Sequence, residues 1–191
     1  MAIVPSRRTF VLCLCALRMG MGRRAIATLL LAAQHASPAA SGDARLEYRV
    51  KAAFLFNFLK FVEWPPGTGG APWVIGLLGP DPFGDLLDET VRGKTLNGRT
   101  IEVRRFVRPG DVKNCQILFM SRIESERSAG NHLPAPQGVL TVGESPGFLQ
   151  AGGAVNFYLE DNRVHFEIRP SVARAVGLRV SSQLLKLGRT L

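Results

Sequence analysis

The chain has 191 residues, 46% hydrophobic and 20% charged, with 20 glycines, 12 prolines and a formal net charge of +9. This bounds one domain of ordinary size plus a leader, and excludes a collagen-like chain, a repeat array or wholesale disorder. Nucleic-acid binding turns on where the positive charge lies, and much of it lies at the N-terminus.

The first forty residues hold no Asp or Glu, but carry Arg7, Arg8, Arg18, Arg23 and Arg24. Two basic-then-apolar units follow each other, "SRRTFVLCLCALRMGMG" and "GRRAIATLLLAAQHASPAASG". The second has the form of a secretory signal: Arg23-Arg24, an apolar core from Ala25 to Ala33 and a small-residue tail. Cleavage is expected after Ala39 or after Ser41, and the start codon near Met19 or Met21. The rival reading takes "SRRTF" as a twin-arginine export signal. The apolar core is far short of the ~20 residues that a membrane span needs. Residues 1–39 are therefore read as a signal peptide and 40–191 as the exported domain.

Loss of residues 1–39 removes five arginines and no acid, which brings +9 down to +4. The remaining positives are interspersed with acids, as where Glu102 lies beside Arg104 and Arg105. No basic stripe with interleaved aromatics is present, so no nucleic-acid partner is expected.

Residues 45–64 predict an amphipathic helix. Phe54, Leu55, Phe58, Leu59, Phe61 and Val62 share one broad arc; Arg49, Asn57, Lys60 and Glu63 oppose them. Phe56 and Trp64 fall on the polar side, and Pro65 is expected to end the helix. "PPGTGGAP" (65–72) is a linker and "WVIGLLG" (73–79) a buried strand. Asp81 is expected to cap a helix with Pro82 in its first position, stopped at Gly93. A turn at Asn97-Gly98 precedes a strand from Thr100 to Phe106, and Cys115 to Met120 is another buried strand. Ser121 to His132 reads as a charged helix with a serine cap, and Gly138 to Glu144 as a strand. Val155 to Leu159 and Val164 to Ile168 form a hairpin about residues 160–162. The tail from Pro170 to Leu191 reads as helical, broken near Gly177. This order predicts a single α/β domain with a mixed sheet, parallel in its centre with an antiparallel edge hairpin, flanked by helices.

Little chemistry is legible. His132 and His165 have no nearby ligand at metal spacing, so no metal or other cofactor is expected. "RGKT" (92–95) resembles the end of a phosphate loop, but position 88, where the loop needs glycine, is Asp88. The "GPDPFG" turn follows a strand and opens a helix, and is weighed as a small-anion site. No Gly-x-Ser-x-Gly elbow occurs, and an enzyme is not expected. Cys115 is the one cysteine outside the leader. It reads either as a buried thiol acting as a small hydrophobe or as a redox or intermolecular contact.

Three stretches, "KAAFLFNFLKFVEWP", "LLGPDPFGDLLD" and "GVLTVGESPGFLQAGGAVNFYLEDNRVHFEIRPSVARAVGLRVSSQLLKL", resemble the YfiR-like periplasmic repressor family in order and spacing. The resemblance covers about residues 48–188. It implies a periplasmic, non-catalytic protein, often a homodimer. In the best-known branch such a protein holds an inner-membrane diguanylate cyclase inactive through its periplasmic domain. An outer-envelope lipoprotein sequesters the repressor, after which cyclic di-GMP rises and favours biofilm. Those members carry paired cysteines that couple repression to redox state; Cys115 matches one position and has no partner cysteine. Phe56 and Trp64 are candidate partner-contact residues, against the reading that Trp64 folds back over the Pro65-Pro66 turn. Glu167, Arg169 and Arg174 are a second candidate surface; strand alternation predicts Phe166 and Ile168 inward and Glu167 outward. The alternative function is a periplasmic small-ligand sensor, with the "GPDPFG" turn or a dimer cleft as its site.

Overall fold

The structure is a computed structural model that describes residues 38–65, 72–128 and 136–191. The signal read over 1–39 lies almost wholly outside the described residues; so do His132 and most of the linker.

Helix α1 (Pro38–Phe61) leads into a two-residue strand, β1 (Val62–Glu63). Strand β2 (Trp73–Leu78), helix α2 (Leu86–Val91), β3 (Thr95–Leu96) and β4 (Arg99–Phe106) follow. Then come β5 (Ile117–Met120), α3 (Arg122–Arg127), β6 (Leu140–Gly143) and the hairpin β7 (Val155–Glu160) and β8 (Arg163–Ile168). The chain ends with α4 (Pro170–Ala175), β9 (Arg179–Val180), α5 (Ser182–Leu185) and β10 (Arg189–Thr190).

Eight strands form one mixed sheet in the order β10-β8-β7-β6-β5-β2-β4-β3. From β4 through β7 the neighbours are parallel. β8 returns antiparallel to β7, with Phe157 opposite Phe166. The expected architecture is present, and β10 adds parallel to β8 beyond the hairpin. The central strands β2, β5 and β6 are buried at every position, which explains why they read as unbroken apolar runs.

Alternate residues feed two cores. Ile75, Leu77, Ile117, Phe119, Phe157 and Phe166 belong to the larger one, with α1 packed on it. Val74, Leu78, Leu118 and Met120 form the smaller one with Phe148 and Leu149. In α1, Ala52, Leu55, Phe58 and Leu59 are buried, a 3.6-residue repeat that Val62 of β1 continues. Phe58 stacks on Phe157 at 5.8 Å and meets Phe166 edge-on at 5.3 Å, so the aromatic run ties α1 to the hairpin. No described helix is long and apolar enough to cross a membrane.

Several boundaries differ from the sequence reading. The helix ends at Phe61, before Pro65, because Val62 and Glu63 pair with Val180 and Arg179. Asp81 does not cap a helix: its Oδ1 accepts from the backbone N–H of Phe83 (2.7 Å) and Gly84 (3.2 Å), closing a turn, and α2 starts at Leu86 after Asp85. Ser121 does cap α3, accepting from the Glu124 N–H, and that helix ends at Arg127. The tail is mixed, since β9 and β10 interrupt its two short helices. The loop after β6 folds the Phe148 ring against the backbone of Gly143 and Gly153; a Cβ on Gly153 would lie 2.8 Å from the Phe148 carbonyl oxygen.

Candidate docking surface and carboxyl-edge pocket

Helix α1 is longer than the core that covers it. One face of its second half is buried on the larger core, and the stripe Leu46-Val50-Phe54, at i, i+4 and i+8, continues along the helix toward its N-terminus. Leu46 is 58% exposed and Val50 36%. Opposite them the hairpin presents Leu159, 50% exposed, and Val164. Between lies a groove of about 560 Å³, with Asp43 and Glu47 on its helix wall and Arg163 on its hairpin wall. Contiguous exposed apolar surface rimmed by polar groups is the usual mark of an interaction site.

A second concavity, of about 320 Å³, opens at the carboxyl ends of the parallel strands, where open α/β sheets commonly bind ligands. Its base is an ionic cluster between α1 and the residue after β6. The Lys51 ammonium is 4% exposed and donates to Glu47 Oε1 and, at 2.6 Å, to Glu144 Oε2. The Tyr48 hydroxyl donates to Glu144 Oε1 at 3.2 Å. Burial first, and then the Glu144 charge, hold the Tyr48 phenol well above its ordinary pKa. Asn156 donates to Glu167 Oε1 at 3.4 Å, while its own Oδ1 is buried without a partner among the described residues. Arg122 lies on the rim.

The candidate residues do not converge. Phe56 is half-buried against the larger core, with the ammonium groups of Lys60 and Lys94 each 4.4 Å from its ring centre. The Trp64 indole folds back, donating to the Leu59 carbonyl at 3.3 Å and packing against Trp73 at 5.9 Å. Trp64 also lines a separate cleft with Glu63 and Arg179. Glu167 points into the carboxyl-edge pocket. Arg169 donates to the Leu149 carbonyl at 2.9 Å, pinning the loop after β6. Arg174 is exposed on α4. Phe166 and Ile168 face inward and Glu167 outward, as the alternation requires.

Cys115 is a free, buried thiol in the smaller core, and burial pushes its pKa up to about 11. Little thiolate exists there at neutral pH, and thiolate is the redox-reactive form. His165 stacks on Tyr158 at 5.7 Å, and the Arg189 guanidinium lies 5.1 Å from the centre of the same Tyr158 ring. No cluster of three His, Cys, Asp or Glu among the described residues is arranged to hold a metal ion.

Sequence reasoning missed both the groove and the ionic cluster. The i, i+4 repeat of Leu46, Val50 and Phe54 was the available signal for the groove. The partners of the cluster, Lys51 and Glu144, lie 93 residues apart, and no local pattern joins them.

The sequence profile of the YfiR/HmsC-like family matches residues 48–189, and the chain belongs to that family. The match takes in α1 from Tyr48 onward, the sheet up to the first residue of β10, and Lys51 and Glu144 of the ionic cluster. No curated protein matches the chain.

Proposed function

We propose that the chain is an exported, non-catalytic regulator in the periplasm. In this reading it binds the periplasmic domain of an inner-membrane signalling protein, a diguanylate cyclase, and so lowers cyclic di-GMP. Family membership supports the regulatory class. The observation that carries action by contact is the apolar groove between α1 and the β7–β8 hairpin, with Leu46 and Leu159 exposed on its walls. A homodimer and an outer-membrane lipoprotein that relieves repression complete the scheme. Crosslinking of intact cells that express the tagged protein, followed by mass spectrometry, tests it. Recovery of an inner-membrane protein with a cytoplasmic cyclase domain is expected. A clean negative with abundant exported protein would sink the proposal.

The second reading is a small-ligand sensor. The "GPDPFG" turn is a poor site for it, because the Phe83 and Gly84 amides already serve Asp81. The carboxyl-edge pocket, with Arg122 on its rim and the unpartnered Asn156 Oδ1 beside it, favours it instead. A ligand that binds only the native state raises the melting temperature in step with its concentration. A flat screen of nucleotides and amino acids would count against a sensor.

A further inference from the structure

We propose that the groove between α1 and the β7–β8 hairpin receives one amphipathic helix of the protein partner, flanked by basic residues on one side and acidic residues on the other. This rests on the contact reading above and names the partner's chemistry.

Shape argues for a helix. The wall from Leu46 to Phe54 spans nine residues, ~12 Å at the α-helical rise, a little over two turns. That length suits three apolar anchors at i, i+3 or i+4, and i+7 of an inserted helix. A second copy of this chain fits poorly. Two concave grooves set face to face enclose a void, and dry voids forfeit the contacts that hold an interface together.

Charge argues for the flanks. Asp43 and Glu47 stand on the helix wall and Arg163 on the hairpin wall. Glu47 is engaged by Lys51, whereas Asp43 and Arg163 have no ion pair among the described residues. Walls of opposite sign favour a helix with opposite flanks, and they also fix its direction, because reversing the helix exchanges its flanks. Complementary charges of this kind select register and partner more than they add affinity.

The test uses three labelled peptides of about 18 residues, stapled so that each is helical in isolation. They share one Leu stripe and carry mixed Lys/Glu, all-Lys or all-Glu flanks. Anisotropy with the exported protein is expected to rank the mixed peptide about tenfold tighter than either other. Leu46→Asp and Leu159→Asp, both at exposed positions, should each weaken it about tenfold with an unchanged melting curve. Arg163→Glu, which makes both walls acidic, should move the preference to the all-Lys peptide. No binding by any peptide, or equal binding of all three by wild type and Arg163→Glu, overturns the inference. So does sedimentation that shows a wild-type dimer lost in Leu46→Asp, which would assign the groove to a second copy. The two claims fail separately. If Leu46→Asp/Leu159→Asp still captures the cyclase in cells, the helix site falls and the regulator stands. If wild type captures nothing, the regulator falls whatever the peptides do.

Discussion

Lys51→Met is the most informative change to the fold. The ammonium is 4% exposed and clamped between Glu47 and Glu144, and the Glu144 side chain is 5% exposed. Methionine keeps the length and apolar stem of lysine, so packing is largely retained. Glu47, 22% exposed, can turn to water; Glu144 cannot, and keeps only the Tyr48 hydroxyl. Removing one member of a buried pair costs ~3–5 kcal/mol, because the other charge stays desolvated. The single variant should therefore lose about 3 kcal/mol in urea unfolding. For a domain of this size that is a fall in melting temperature of ~6–12 °C. Lys51→Met/Glu144→Gln removes both charges and leaves an acceptor for Tyr48. It should be within about 1.5 kcal/mol of wild type, a coupling of roughly 2 kcal/mol or more. A loss below about 1 kcal/mol for Lys51→Met, or a double variant no better than the sum of the singles, would refute the claim that the pair is buried and coupled.

Three further outcomes are expected. Phe58→Ala, at a site with no exposure and with three aromatic neighbours, should cost ~3–5 kcal/mol by denaturant melts, the largest loss of any truncation in α1. Gly153→Ala should cost at least ~1–3 kcal/mol, since its Cβ would collide with the ring and backbone of Phe148; the smaller Phe148→Leu should partly rescue it. Cys115 should resist an aromatic disulfide reagent at neutral pH and react at once in denaturant. Its folded pKa is raised from 9.0 to about 11, so the unfolded chain loses the proton first. The stability linked to it is full below pH 9 and lost as pH rises through about 11, a slope that Cys115→Ala should lack.

Much of the fold was legible because local pattern and tertiary use agree. The apolar runs at 73–79 and 115–120 read most simply as buried strands, and β2 and β5 within them lie in the parallel centre of the sheet. The Phe-rich arc of α1 fixed its buried face. What failed to show depends on long-range pairing. β1, β3, β9 and β10 are two residues each, too short for any period; β1, β9 and β10 exist because a distant segment pairs with them, and β3 pairs locally with β4 across the Asn97-Gly98 turn. Asp81 was expected to cap a helix; it closes a turn onto the Phe83 and Gly84 amides instead, and the helix starts only at Leu86. Lys51 carries no signal of burial in the local pattern, yet Glu144 and Glu47 hold it inside. Trp64 read either as a partner contact or as folding back over the Pro65-Pro66 turn; its indole N–H donates to the Leu59 carbonyl and its ring packs on Trp73.

The central claim is that this protein restrains a cyclic di-GMP-producing enzyme across the inner membrane. Its most direct test is the cellular cyclic di-GMP level after deletion of the gene, with and without complementation by wild type. The account predicts a rise on deletion and a return to the starting level on complementation. An unchanged level, with the protein shown to be present and exported in the parent strain, would contradict it.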